Sequence, residues 1–371
     1  MLFDAINTNR EDVEIHSGKE AIKIKIKLLS PLLQINVGGK NATSSETKKL
    51  YRKVKGIDYP IATPVYSANG IRGTLRRLAL KSIDDIAKET DPFYEKQLSA
   101  RTVNFYSSGN EKTIKGVIDL SYTQIQKLRE FFPAINLFGA GLSFVEGTLC
   151  VSPFMIKEED LVRETDENTF KPVTFIYKMS GVRFDEANRN SFLAPLIDEK
   201  SVKEWLKLNS DNQKETKRKK ELLKKKSEEL SDKEKKELKE LEDVKNNSTQ
   251  MLHEHEYVVP GIEMHGSISV KKDFKELTDI EKGLLFYVLT EFATSSLGSL
   301  KNKGYGVADW EISYKDYGNI IVENDSNYFL GEKKITISPK IKETIKKYKD
   351  WVVKNKVWEY LETEKLLKKV A

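Results

Sequence analysis

Hydrophobic and polar residues alternate first in "EAIKIKIKLLSPLLQINVGG", where Ile22, Ile24, Ile26 and Leu28 interleave with Lys23, Lys25 and Lys27. That period predicts a strand with one face in a core and a row of lysines on the other. Gly38-Gly39-Lys40 ends it and opens a polar stretch, predicted as a basic loop over 38–56. In "GIDYPIATPVYSANGIRGTLRRLAL", Pro60 and Pro64 hold the chain extended. Ser67-Ala68-Asn69-Gly70 then supplies the start of a helix carrying Arg72, Arg76 and Arg77 in its first two turns. A helical segment ending near Pro133, a glycine-rich turn over 136–141 and an apolar strand over 147–154 follow.

The later pattern repeats this order. "EYVVPGIEMHGSISVKK" is β-rich, and "DIEKGLLFYVLTEFATSSL" has apolar residues at helical spacing. A glycine-punctuated loop leads from it into the strand "VADWEISY". Two strand–helix–strand passages predict an α+β fold with a ferredoxin-like core. Between them "KETKRKKELLKKKSEELSDKEKKELKELEDVK" is nearly all Lys and Glu, with leucines at 222, 223, 230, 238 and 241. It reads as a helical hairpin broken near Ser231-Asp232 and inserted into the core. The expected organisation is a first core part over 1–176, an inserted region over 177–252, a second core part over 253–338 and an amphipathic helix over 339–371.

Composition narrows the classes. The 371 residues carry 63 Lys+Arg against 57 Asp+Glu, a net charge of +6 that permits an anionic partner without requiring one. A single cysteine, Cys150, excludes an intrachain disulfide and fits a reducing compartment. No apolar run is long enough to span a bilayer and the first residues are not signal-like, so a soluble cytoplasmic protein is expected. There is no P-loop, nucleophile elbow, HExxH or CxxC. His253 and His255 would share a strand face, but no third metal ligand is tied to them, and no metal site is assigned.

The remaining chemistry lies in two glycine-containing basic loops. Three arginines near a helix start oppose the helix dipole, which suggests an anion that is not part of the chain. In "LGSLKNKGYG", Gly298, Gly304 and Gly306 let backbone amides approach a ligand; Lys301, Asn302 and Lys303 bring donors, and Tyr305 a ring. Backbone amides, a helix N-terminus and basic side chains together make a phosphodiester cradle. On a sheet-based scaffold without a recognition helix, RNA is favoured over duplex DNA.

These passages also resemble a known family. "TPVYSANGIRGTLRR", "NLFGAGLSFVEGTLCVSPF" and "LGSLKNKGYGVADWEI" are similar, in order, to the signature loop, middle passage and C-terminal glycine-rich loop of the RAMP superfamily of CRISPR systems. Size and a single such core point to the backbone subunits, the Cas-seven family, of type IV-like or type III-like character. The resemblance implies an RNA-recognition-motif-like palm, a thumb and a helical insertion. Such subunits polymerise along a guide crRNA, each holding about six nucleotides, and base pairing supplies specificity. It also implies guide contacts from Lys40, Ser67, Asn69, Gly70, Arg72, Arg76 and Arg77, and from Lys301, Asn302, Lys303, Gly304 and Tyr305. Lys178, Met179 and Arg183 would lie on the thumb. Ser-Ala-Asn-Gly replaces the usual Pro-Gly-Ser-Ser, which leaves the subtype open.

"Gly-Ile-Asp-Tyr-Pro-Ile" matches the aspartate motif of RNA-cutting type III backbone subunits, which implies a catalytic role for Asp58 with Mg²⁺ or Mn²⁺. A turn aspartate bonding its own backbone is the plainer reading. The leading expectation is therefore a binding subunit with no cofactor. Its partners would be guide crRNA, target RNA or DNA, neighbouring copies and other effector subunits. The alternative is a metal-dependent endoribonuclease cutting target RNA at regular steps through Asp58. A repeat-processing nuclease using His16 ranks last.

Overall fold

The computed structural model describes residues 19–34, 44–54, 56–94, 98, 103, 106, 121–139, 145–164, 170–182, 218, 252–324, 332–362 and 365. Lys40, Arg183, His16 and, but for Arg218, the charged segment 214–245 lie outside them. The chain divides into two compact units, one of Met1–Asn36, Thr47–Tyr177 and Tyr257–Ala371, the other of Val37–Glu46 and Lys178–Glu256.

The first unit is mixed α and β with an antiparallel sheet. Its strands are β1 (Lys19–Leu28), β3 (Lys49–Arg52), β4 (Ile61–Tyr66), β5 (Leu149–Val151), β6 (Phe154–Met155), β11 (Glu263–Val270), β12 (Ala308–Tyr314), β13 (Gly318–Asn324) and β14 (Lys333–Ile337). They run in the order β14-β13-β12-β1-β11-β6-β4-β3, with β5 also paired to β11, and a separate antiparallel ribbon joins β7 (Val162–Glu164) to β8 (Phe170–Pro172). β1 is central: Ile24 lies opposite Gly266 and Ile312, and Ile26 opposite Met264 and Trp310. Its isoleucines are buried as the alternation predicts, while Lys23 and Lys27 face water and Lys25 pairs with Glu263 at 3.1 Å. The lysine row is thus part of a solvated sheet face.

Helices cover the apolar face. α1 (Ala68–Thr90) buries Ile71, Leu75, Ala79, Ile83 and Ile86, a stripe at helical spacing. α4 (Asp279–Thr294) starts at a capping box, Thr278 with Glu281, and presents Phe292 to Trp310 at 5.0 Å between ring centroids. α5 (Pro339–Lys354) is tied to α1 through buried Ser82 Oγ and Tyr348 Oη, 2.8 Å apart.

Two sequence expectations shift. The stretch read as a loop over 38–56 contains two short strands, β2 (Ser44–Ser45) and β3, because Lys49–Arg52 finds backbone partners in Ile61–Pro64. Pro133 starts rather than merely follows helix: α2 (Tyr122–Phe131) ends at Phe132, and α3 (Pro133–Phe138) begins with the proline at its first position. The ring's fixed φ suits that position and its missing N–H is not needed there. The turn accordingly starts at Gly139 and not at Asn136.

The second unit, taken alone, contains most of a three-stranded sheet of β2, β9 (Ile176–Val182) and β10 (Leu252–Val258), in the order β2-β10-β9. β2 and β10 are parallel, with Ser45 opposite His255. Lys178 faces water and reaches the buried Glu256 carboxylate at 3.9 Å.

Candidate functional site

The two basic loops, far apart in sequence, meet in the first unit through the segment that follows β1. On one side, Gln34 Nε2 donates to Ser67 Oγ at 2.7 Å and its Oε1 accepts from the Ser67 N–H at 2.8 Å. Ser67 Oγ also accepts from the Gly70 N–H at 3.3 Å, so Ser67 is the N-cap of α1. On the other side, the Ser299 N–H donates to Leu33 O at 2.7 Å and the Gly306 N–H to Pro31 O at 2.8 Å. Val307 O accepts from the Leu29 N–H at 2.9 Å, and its own N–H donates to Ser30 Oγ at 2.8 Å. Residues 29–34 therefore hold both loops at once.

The glycines make this possible. Gly298 and Gly306 have φ of 70° and 78°, the left-handed region, and a Cβ on either would run into the Leu33 or Leu297 carbonyl. Between them Lys301–Lys303 makes a single 3₁₀ turn, entered by Leu300 at φ 58°. Burial pushes the Tyr66 phenol up, while a hydrogen bond from the Gly298 backbone and the charge of Arg77 pull it back.

The three arginines do not act together. α1 begins at Ala68, so Arg72 lies in its second turn and Arg76 and Arg77 in its third. There the opposing dipole has largely faded. Arg72 Nη2 donates to Leu149 O at 3.4 Å and Arg76 Nη2 to Phe138 O at 2.6 Å. Phe138 ends α3, so Arg76 satisfies a helix-terminal carbonyl at the negative end of the dipole. Burial, then repulsion from Arg72 and Arg77, pushes the Arg76 guanidinium's pKa down.

Arg77 is exposed, its Nη2 donating to Thr74 Oγ1 at 3.2 Å. It is also close enough to Lys301 to push that ammonium's pKa down, a repulsion second only to burial. Neither cation is paired with a carboxylate among the described residues. Two neighbouring cations without a carboxylate partner among the described residues leave a local excess of positive charge beside the glycine-containing loop.

The other expected residues are distributed around this pair. Asn69 is exposed at the start of α1, and Gly70 serves the cap. Lys303 is exposed, Asn302 shares its turn, and the Gly304 N–H closes that turn on Lys301 O at 3.0 Å. Lys178 and Met179 lie on β9 in the second unit. Asp58 sits exposed in a bend, with no hydrogen bond or ion pair among the described residues. No three His, Cys, Asp or Glu side chains among those residues come together as a metal site. Nor is any helix among them long and apolar enough to cross a membrane. Gln34 and Tyr66 are the residues beside these loops that the sequence did not mark. Each follows or ends an apolar strand, and nothing local distinguishes either from an ordinary loop residue.

No family model matches the chain, and no curated protein matches its sequence. Solved structures do match, among them a chain titled "Type IV-B CRISPR Complex", 14% identical with a TM-score of 0.44. The similarity covers 80% of this chain and 91% of that one.

Proposed function

We propose that the chain is a backbone subunit of a CRISPR ribonucleoprotein effector, coating a guide crRNA and presenting it for pairing with a target. The observation that carries this reading is that residues 29–34 hold together the two passages that resemble RAMP signature loops, one bearing Arg77 and the other Lys301, neither paired with a carboxylate among the described residues. Phosphodiester oxygens between them would relieve the repulsion and release counterions. The sheet order supports the palm: β12-β1-β11-β5/β6, with α1 between β1 and β5 in sequence and α4 between β11 and β12, is the arrangement a ferredoxin-like core requires. The second unit, with Lys178 and Met179 on β9, is the thumb in this reading. Guide, target, neighbouring copies and other effector subunits are the partners it requires.

The test titrates the chain with single-stranded RNAs of increasing length and counts bound copies by mass photometry. Stoichiometry should rise in regular steps with length, and affinity should fall steeply with salt. A single bound copy at every length, or salt-independent binding, would overturn the reading.

A further inference from the structure

Beside the glycine-rich loop, and outside the hydrophobic core, stand three tyrosines. Tyr177 in β9 and Tyr257 in β10 have ring centroids 6.5 Å apart with planes inclined by 29°. Tyr177 is 49% exposed, Tyr257 and Tyr305 partly so. All three belong to the first unit. Backbone bonds fix the pair against the loop: the Val258 N–H donates to Leu32 O at 2.8 Å, and the Leu32 N–H to Val258 O at 3.0 Å. Leu32 is flanked by Pro31 and Leu33, the residues that accept from Gly306 and Ser299. One extended segment thus lies between Tyr257 and the loop bearing Tyr305. Their phenols are near enough to interact, and Tyr305 is pushed up by burial first and by Tyr257 second.

Rings outside the core, partly open to solvent and beside the loop that carries Lys301 have the chemistry of a base-stacking surface. An unstacked base offers a flat π-face, and a protein that holds a single strand by its phosphates leaves those faces free. We propose that Tyr177 and Tyr257, with Tyr305 at their side, stack an unpaired base of the strand whose phosphates lie on Arg77 and Lys301. This inference rests on the RNA-binding reading above and adds to it a site for the base. Stacking needs the ring and not the hydroxyl, so Phe should replace Tyr without loss.

The experiment binds the full chain to single-stranded RNA carrying one 2-aminopurine, moved along the strand position by position. At one register, wild type and Tyr177→Phe should quench or shift the probe's fluorescence on binding, while Tyr177→Ala should not. The Ala variant should bind about 5- to 150-fold more weakly, equivalent to the ~1–3 kcal/mol of one stacked base. Its salt dependence should match wild type, because no phosphate contact is lost. A Tyr177→Ala/Tyr257→Ala variant with wild-type affinity and wild-type fluorescence would overturn the stacking site while leaving RNA binding in place. Wild type that binds no RNA at low salt would overturn the functional reading and this inference together.

Discussion

Arg76 and Arg77 are adjacent in sequence and should fail in opposite ways. Arg76→Met keeps the aliphatic stem but removes the 2.6 Å bond to Phe138 O, leaving a helix-terminal carbonyl without that donor. A hydrogen bond to an ionised group contributes about 1.5–3 kcal/mol. At about 2.1 cal/mol/K of unfolding entropy per residue, that corresponds to a fall of roughly 2–4 °C in Tm for the 371-residue chain. Arg77→Ala removes only an exposed contact with Thr74, so its stability should stay within about 0.5 kcal/mol of wild type. In RNA binding the order reverses. Arg77→Ala should lower the slope of log K against log[salt] by about 0.7, one phosphate contact on a single strand. Arg76→Met should leave that slope unchanged at a temperature where it is folded. Thermal melts and binding isotherms at four salt concentrations measure both. Equal stability of the two variants, or an equal loss of slope, would refute the division of roles drawn from their contacts.

Gly306→Ala should be strongly destabilising, by about 2–4 kcal/mol, because φ is 78° and the new methyl meets the Leu297 carbonyl; a melt unchanged from wild type would contradict the loop geometry. Glu146 is held below the ordinary carboxylate range by its hydrogen bond and charge contact with Lys271. A depressed folded pKa contributes stability above the unfolded value of 4.5 and loses it as pH falls through the folded one. Glu146→Gln should therefore melt below wild type at pH 7 and converge with it at lower pH, and a constant gap would refute the pairing. Asp58→Ala should leave both stability and RNA binding unchanged, since the side chain is exposed without a partner among the described residues. Matched target RNA with Mg²⁺ or Mn²⁺ tests its chemistry: a ladder of fragments from wild type that vanishes in the variant would make the chain an endoribonuclease.

Local pattern was legible wherever one element decides its own conformation. The alternation of Ile22–Leu28 requires a strand buried on one face, and it is one. Ser67 ahead of Ala68-Asn69-Gly70 caps a helix because an N-cap bond spans only three residues. The two basic loops could be picked out by their glycines and charges. Their meeting could not, because it depends on Gln34, Pro31 and Leu33, which reach partners 33 to 275 residues away. The charges of the helix were visible, but not their division. Residues four apart share a helix face and the next one turns about 100° away. Arg72 and Arg76 thus find carbonyls on Leu149 and Phe138, and Arg77 is left exposed within electrostatic reach of Lys301. Which face meets protein and which meets solvent is decided by what packs against it, and only the assembled sheet and helices supply that.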